Sequence, residues 1–418
     1  MKKVTTNQIC GLIMLVTISN KLLILPALMY EDAGVDAIFL VVLKILLAFF
    51  AFWIFAYLAK HYPNKTLDDL LVPYIGKFCY GVLLFLFGVF YLIKTFLTLS
   101  EGEMFLGETI YISLPTELYA IPTFVVAGYF VYKGAKIIGR TNETVFRVIF
   151  WGVVISILLT IPNLNLETLF PMFTASAGDF FNAFSHISMW FGNYFVIYMF
   201  LGKIETSENF VSKVLKSFLI SAGVVLAFFI VYYCIFGESS IIHSYAINDV
   251  VTLTPQLSSL IKINWFTVIF YSMALIGQVV LQLYLVFMCI QKIFKIKNTK
   301  LNVSIFIAVL TVVFLILPFS NVQIVNFCSE GIGFYCFILN LIFPMLVLLV
   351  LLIENNKRAK RKVANASNFV SNSENIDCGG AIVQSNADKE AKGIDKDDKK
   401  DKNEVKEKNA NGGVMEEK

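Results

Sequence analysis

Residues 9–26 read ICGLIMLVTISNKLLILP, an apolar run that is interrupted by Ser19, Asn20 and Lys21 and then resumes. One charged and two polar side chains at this depth would be costly in contact with lipid, so they should face a cavity or another helix. Pro26 cannot donate a backbone hydrogen bond to the residue four positions earlier, which leaves further polar groups nearby without partners. The sequence therefore predicts a membrane helix that is broken near its middle.

The whole chain has the composition of a membrane protein. It contains 418 residues, of which 57% are hydrophobic and 15% charged, and its mean hydropathy is +0.73. Soluble chains are nearer half apolar and a quarter charged. Runs of about 18 apolar residues or more can cross a hydrocarbon core as helices. This composition argues against a soluble enzyme, a nucleic-acid-binding protein and an outer-membrane barrel. We expect the lipid bilayer, and no nucleic acid, as partner.

Ten apolar stretches are candidate membrane spans. They are residues 8–29, 37–59, 79–99, 118–132, 145–161, 181–201, 217–236, 265–290, 302–319 and 332–353. Lys and Arg concentrate at both termini and on alternate connections, whereas the opposite connections are rich in acidic residues and contain only Lys262 among basic ones. By the positive-inside rule the basic connections are cytoplasmic, which places both termini in the cytoplasm.

A second interruption lies in the sixth span. Residues 185–194 read SHISMWFGNY, in which Gly192 weakens the helix and Asn193 adds an amide that needs a partner. Spans one and six correspond if the ten spans form two halves of five, and an odd number of spans per half inverts the second half. We therefore predict an all-α integral membrane protein with about ten transmembrane helices, a five-plus-five inverted repeat, and discontinuous helices one and six.

Polar side chains at these interruptions also have a purely structural interpretation. Ser19, Asn20 and Lys21 could form hydrogen bonds between helices without a ligand, and a lysine can extend its ammonium group to the membrane interface. Structural roles are also favoured for Lys44 and Lys94, which we expect to pair with carbonyls or acids.

Two further polar pairs lie elsewhere in the spans. Glu101 and Glu103 are expected to close the outer end of span three. Gln278 and Gln282 are one turn apart on span eight, and we expect them to bond across helices.

The sequence contains no pattern typical of an enzyme or a metal site. Its seven cysteines include no Cys-x-x-Cys pair, and its three histidines lack the spacing of metal ligands. Hydrolase, nucleotide-binding and zinc-protease motifs are absent. We therefore expect neither enzymatic activity nor a cofactor.

The composition changes sharply after Glu354. From there to Lys418, basic and acidic residues alternate with Ser, Asn and Gly, and aromatic residues are nearly absent. Such a segment cannot bury enough apolar surface to offset its chain entropy. We predict a membrane domain at residues 1–354 and a charged, disordered cytoplasmic tail at 355–418. The basic residues at the start of the tail would lie near an anionic inner leaflet.

Several motifs resemble those of the spore germination permeases, the polytopic B subunits of endospore germinant receptors. The resemblance covers nearly all of residues 5–353 in order. Each motif alone is modest, but their order and spacing make the match fairly specific. The motifs are residues 18–28 with Pro26, Ala33-Gly34-Val35-Asp36-Ala37, Tyr62-Pro63-Asn64-Lys65-Thr66-Leu67, Ile75-Gly76-Lys77, the segment 132–140 (YKGAKIIGR), and Asn163-Leu164-Asn165-Leu166 with Phe170-Pro171.

The resemblance implies a fold and a site. The family is similar to the amino acid-polyamine-organocation transporters, which have the five-plus-five inverted, leucine-transporter-type fold. The resemblance implies that a small hydrophilic germinant, usually an amino acid, binds between broken spans one and six. Carried over to this chain, the substrate-binding residues would be Ser19, Asn20, Lys21, Gly192 and Asn193. Many members have Gly-x-Glu where this chain has Gly192-Asn193.

The predicted function has three alternatives. In the first, the chain is the membrane subunit of a spore germinant receptor. It acts with other receptor subunits in the inner membrane of a bacterial endospore, where it binds a germinant and triggers germination. In the second, it is a stand-alone secondary transporter of amino acids or amines. In the third, it is a non-transporting structural subunit, which fits the loss of acidic site residues.

Two residues have specific predicted roles in ligand binding. Lys21 and free backbone amides near it would bind a ligand carboxylate, because ammonium groups and helix N-termini both favour anions. Alternatively, Lys21 would replace a coupling sodium ion. The amide of Asn193 cannot titrate, so this position would orient a polar ligand or close span six against span one rather than couple protons.

Overall fold

The computed structural model describes residues 3–110, 115–252, 263–297, 299–317 and 320–377. Almost all of the regular structure in these ranges is helical. The α-helices are α1 (Thr6–Ile18), α2 (Leu25–Ala33), α3 (Ala37–His61), α4 (Leu67–Thr109), α5 (Thr116–Lys133), α6 (Ala135–Thr160), α7 (Ala177–His186), α8 (Ser188–Phe191), α9 (Tyr194–Tyr198), α10 (Phe210–Phe236), α11 (Ala246–Thr252), α12 (Ile263–Phe294), α13 (Lys300–Ile316), α14 (Asn321–Asn326) and α15 (Gly333–Asp377).

Short elements connect several of these helices. Two strands, β1 (Val4–Thr5) and β2 (Ile204–Glu205), pair in parallel and join the N-terminus to the segment after α9. The 3₁₀ turns are Gly34–Asp36, Ile161–Asn163, Leu166–Leu169 and Gly237–Ile241, and Phe327–Gly331 is a π-helix.

Six helical segments in the described residues are long and apolar enough to cross a membrane. They are Leu25–His61, Leu67–Thr109, Ala135–Asn163, Phe210–Ile241, Trp265–Phe294 and Gly333–Lys357. The chain is therefore a helical, multi-pass membrane protein, as predicted. Of the other predicted spans, the first and ninth correspond to shorter apolar helices, the fourth to α5, and the sixth is divided among α7, α8 and α9. Lys262, on which part of the charge argument depends, lies outside the described residues.

The first apolar stretch is divided into two helices. Helix α1 begins with a capping box between Thr5 and Gln8 and ends at Ile18. Residues 19–24 are not helical, and α2 then begins at Leu25. Pro26 lies in the first turn of α2, where a missing backbone N–H costs nothing and the fixed φ of proline favours the helix. The break therefore lies at the predicted polar residues, and the proline starts the second helix.

The sixth predicted span is interrupted more than once. Helix α7 ends at His186, α8 covers one turn, and Gly192 and Asn193 separate α8 from α9. A Cβ atom at Gly192 would lie 2.3 Å from the side-chain amide of Asn340 on α15. A side chain at this position would therefore displace the Asn340 amide from the backbone at this break.

The core of the bundle is built around α12. It packs along α4 and against α5 and α6, while α1 packs against α10 and α6. The apolar window of Trp265–Phe294 is 78% buried, against 33–56% for the other five candidate spans. Most residues of α1 are buried as well, so polar groups at the first break can find partners within the protein.

The chain divides into two compact units, Met1–Leu352 and Ile353–Lys418, close to the predicted boundary at residue 354. In the second unit, residues 355–377 are helical although we predicted a disordered tail from residue 355. Residues 357–366 are rich in Lys, Arg and Ala, which favour helices, and no Gly or Pro lies between residues 355 and 377, so the helix meets no strong breaker there. The rest of the predicted tail, residues 378–418, lies outside the described residues.

Candidate ligand site between two broken helices

The carbonyl oxygen of Val16 connects the two helix breaks. Within a continuous helix it would accept from the amide of Asn20, but Asn20 has a φ of 65° and lies outside the helix. The oxygen instead accepts a hydrogen bond from Lys21 Nζ at 3.1 Å and one from Asn193 Nδ2 at 2.9 Å. The fold therefore brings together the predicted residues Lys21 and Asn193 on a carbonyl that the first break leaves free.

Asn20 directs its side chain toward α4. Its Nδ2 donates to Glu101 Oε2 at 2.7 Å and lies 2.8 Å from Thr98 Oγ1. The other oxygen of Glu101, Oε1, accepts from Trp190 Nε1 at 2.6 Å. One carboxylate thus contacts the first break and α8 at the same time.

The location of Glu101 differs from the expectation that it closes the outer end of span three with Glu103. Its side chain is fully buried. Its neighbour Glu103 instead accepts from Thr116 Oγ1 at 2.7 Å, at the start of α5. The reason is that α4 continues beyond the predicted end of span three to Thr109, so Glu101 lies inside the packed bundle.

Ser19 is bound to its own helix and to α12. Its hydroxyl lies 2.7 Å from the carbonyl oxygen of Leu15 and 2.9 Å from Gln278 Oε1. One turn along α12, Gln282 Nε2 donates to Thr98 Oγ1 at 3.2 Å. Both glutamines therefore bond across helices, as predicted, and they connect Ser19 and Asn20 to the central helix.

Gly192 contributes its backbone to the site. Its carbonyl oxygen accepts from the Tyr91 hydroxyl at 2.8 Å, and Asn340 Nδ2 donates to the carbonyl of Ser188 at 3.0 Å. These bonds satisfy carbonyl groups that the short helix α8 leaves without intrahelical partners.

Three buried lysines surround α8. Lys21 is 4% exposed, Lys44 5% and Lys94 0%. Lys94 donates to the carbonyl of Met189, and Lys44 donates to Ser188 Oγ at 2.7 Å and lies 3.7 Å from the ring centroid of Phe184.

A buried carboxylate lies near two of these lysines. Glu101 is the buried carboxylate that interacts electrostatically with Lys21 and Lys94. Buried charges in membrane proteins are normally paired. A lysine that is protonated here and not paired with Glu101 would favour an anionic group of a ligand.

Two small cavities lie beside these lysines. One, of about 20 Å³, is lined by Lys21, Asn193 and Phe191; the other, of about 40 Å³, is lined by Lys44, Asn340 and again Phe191. Volumes of this size hold one to a few water molecules. A larger ligand would therefore require the broken helices to move apart.

Orphan acceptors lie close to the cationic groups. Asn20 Oδ1 and Asn193 Oδ1 are buried and have no hydrogen-bond partner among the described residues. A buried acceptor without a donor costs about 1–3 kcal/mol. The site thus places lysine side chains, which donate hydrogen bonds, near amide oxygens that can accept them.

Sequence reasoning missed two members of this site. Trp190 was not singled out because a tryptophan in an apolar span is ordinary, and Glu101 was assigned to the outer end of a helix. The position of Glu101 between two apolar stretches of α4 was a signal that it could be buried. Its partners Asn20 and Trp190 could not be predicted, because they lie far from Glu101 in the sequence.

Comparison with known proteins identifies one family. Residues 3–324 match the sequence model of a family described as spore germination protein. A comparison with curated proteins finds no match. The family match covers most of the chain and confirms the resemblance that the motifs indicated.

Proposed function

The chain belongs to the spore germination protein family, and from this premise we propose that it is the membrane subunit of a germinant receptor. In this proposal it binds a small zwitterionic germinant, an amino acid, between the α1–α2 break and the breaks around α8. Binding changes the packing of the broken helices, and partner subunits convert this change into germination.

The proposal rests on the presence, at one place, of an ammonium group and of amide oxygens without donors. The Nζ of Lys21 and the amide of Asn193 meet on the Val16 carbonyl, and the orphan Oδ1 atoms of Asn20 and Asn193 are buried nearby. A ligand carboxylate would pair with Lys21, and its ammonium group would donate to an amide oxygen. A ligand with only one of these groups would leave part of the site unsatisfied.

The proposed architecture has ten spans in two inverted halves, of the leucine-transporter type, with the site at the midplane. Interruptions in two distant spans that meet at shared polar contacts support this arrangement, because discontinuous helices form the substrate sites of such transporters. Both termini would be cytoplasmic and the bilayer would be the inner membrane of an endospore.

Cysteine accessibility tests this topology. In a background with Cys79→Ser, Lys60→Cys and Lys295→Cys should resist a membrane-impermeant thiol reagent applied from outside, whereas Ile242→Cys, at an 80% exposed position between α10 and α11, should react. Outside labelling at position 60 or 295 would overturn the proposed orientation.

Binding measurements test the ligand. The purified full-length chain in nanodiscs is titrated with a panel of neutral amino acids, and with the matching amines and carboxylic acids, by calorimetry. We expect at least one amino acid to bind while its two one-ended analogues bind at least about tenfold more weakly, since each loses one buried charged contact. Lys21→Met should weaken binding of the amino acid and of the acid but not of the amine. Lys77→Met, at an exposed position on α4, is the matched control. Equal binding of the amino acid by Lys21→Met and wild type would overturn the assigned site.

The same broken helices also suit a stand-alone transporter of amino acids or amines. Uptake of the bound amino acid by the chain alone in proteoliposomes would favour the transporter. Binding without uptake would favour the receptor subunit.

A further inference from the structure

A basic cavity lies beside the junction of α5 and α6, where Lys133 ends α5 and Ala135 begins α6. Its volume is about 700 Å³, and its lining includes Lys3, Lys133, Lys136, Lys203 and Tyr284. Among the described residues that line it, none is acidic. Four ammonium groups around one cavity favour a ligand with negative charge.

The contacts of Lys203 show that the positive charge around this cavity is only partly neutralised. Its Nζ donates to the Tyr284 hydroxyl at 3.3 Å and lies 3.5 Å from Met288 Sδ, two uncharged groups. The carboxylate of Asp68 on α4 also acts electrostatically on Lys203, but it forms an ion pair with Lys292. Burial, together with the neighbouring charge of Lys292, lowers the pKa of Lys203 to about 8, so its ammonium is still mainly protonated at neutral pH.

A second feature, an apolar groove, lies between α5 and α13. This α5–α13 groove has a volume of about 590 Å³, and its lining includes Val125, Gly128, Tyr132, Ile307 and Ala308. Val125 is 64% exposed, so the groove opens on the outer surface of the bundle. In a protein that spans a membrane this surface contacts acyl chains.

The cavity and the groove are lined by adjacent residues at the end of α5, the cavity by Lys133 and the groove by Tyr132. Lys133 lines the cavity, and its Nζ lies 5.9 Å from the ring centroid of Tyr132. Lys300 lines the groove, and its Nζ also lies 5.9 Å from that ring. A ligand whose polar end reached both ammonium groups would have its apolar part beside the groove.

We propose that this composite site binds an anionic phospholipid, with the phosphate headgroup at Lys133 and Lys300 and one acyl chain in the α5–α13 groove. Charge complementarity selects the phosphate, and the apolar groove selects a lipid over a soluble phosphate. Basic pockets between membrane helices bind anionic headgroups by this combination. The site is separate from the candidate germinant site and does not depend on the proposed function.

Native mass spectrometry of the full chain in neutral detergent tests the headgroup. The protein is incubated with equal amounts of phosphatidylglycerol and phosphatidylcholine, and the retained lipids are counted. We expect wild type to retain phosphatidylglycerol at least about tenfold in preference, and Lys133→Gln with Lys300→Gln to abolish the preference. Lys60→Gln with Lys77→Gln removes the same charge at exposed positions that line neither feature, and should leave the preference intact. An equal loss in this control would show general charge attraction and overturn the site.

Filling the groove tests the acyl chain independently. Ala308→Trp keeps every lysine but occupies the groove, whereas Val309→Trp places the same side chain at a neighbouring exposed position outside it. We expect Ala308→Trp alone to reduce retention of phosphatidylglycerol. Equal retention by both tryptophan variants would overturn the acyl-chain assignment. Binding of glycerol 3-phosphate as tight as that of phosphatidylglycerol would show a site for soluble phosphate and overturn the lipid proposal.

Discussion

Trp190 donates its indole hydrogen to Oε1 of Glu101 at 2.6 Å, while Asn20 donates to Oε2 of the same carboxylate at 2.7 Å. The two donors belong to different interrupted segments, and Glu101 belongs to the long helix α4. The carboxylate of Glu101 therefore binds both the α1–α2 break and α8 to helix α4. Movement of either segment away from α4 would break a charge-assisted hydrogen bond inside the protein.

Replacing Glu101 by glutamine should destabilise this junction. The amide of Gln has one acceptor oxygen and one donor nitrogen. Either Trp190 or Asn20 would therefore lose its acceptor, or Asn20 would have to turn its amide and lose its bond to Thr98. We expect Glu101→Gln to lower the free energy of unfolding by about 1–3 kcal/mol, measured as a lower Tm in detergent. Glu117→Gln, at an exposed position on α5, should leave the Tm unchanged. An equal Tm for wild type and Glu101→Gln would show that the carboxylate does not hold the two segments.

The positions of the helix breaks were predictable because their cause is local. Ser19, Asn20 and Lys21 are polar groups within an apolar run, and Gly192 and Asn193 interrupt another, so the sequence itself shows where a helix is weak. Family membership was also predictable, from motifs in a fixed order.

The partners of these residues were not predictable. Asn20 and Trp190 meet on Glu101 because α4 packs between segments that are distant in sequence, and no local pattern records that packing. The helix over residues 355–377 was also missed, since composition predicts low burial but says little about helix propensity in a charged segment.

Gly192 should be intolerant of a side chain. A Cβ there would lie 2.3 Å from the Asn340 amide, which donates to the carbonyl of Ser188. We expect Gly192→Ala to lower the Tm, because Asn340 must move and lose its bond. Gly223→Ala on α10 is the matched control, since its Cβ would meet nothing within 4 Å.

A double-mutant cycle separates this clash from a general effect on the break. In the background Asn340→Ala, the substitution Gly192→Ala should cost clearly less than in wild type, because the clashing amide is gone. Additive losses would mean that the alanine acts through backbone conformation instead.

Asn193 should orient the ligand through its amide. Asn193→Ala removes both the donor to Val16 and the orphan acceptor, and we expect a roughly ten- to hundredfold loss in ligand affinity, equivalent to about 1–3 kcal/mol. Asn193→Asp preserves the shape but adds a titratable charge beside Lys21, so it should make binding pH-dependent. Unchanged calorimetric affinity in Asn193→Ala would place the residue outside the site.

Lys203 should make stability depend on pH in a defined direction. Its pKa in the folded protein is lowered to about 8, chiefly by burial and then by the charge of Lys292, against about 10.4 in an unfolded chain. Between these values the unfolded state binds more protons, so this group makes stability rise with pH. Below about pH 8 both states carry the proton and the cost of burying the charge is fully present.

Lys203→Met removes that cost. In neutral detergent without anionic lipid, the Tm of the variant should exceed that of wild type most below about pH 8, and the difference should shrink as the pH approaches 10. Lys216→Met, at an exposed position on α10, removes a similar charge without burial and should give a small difference that does not follow this profile. A Tm difference for Lys203→Met that stays constant from pH 7 to about 10 would show that burial does not perturb this ammonium group.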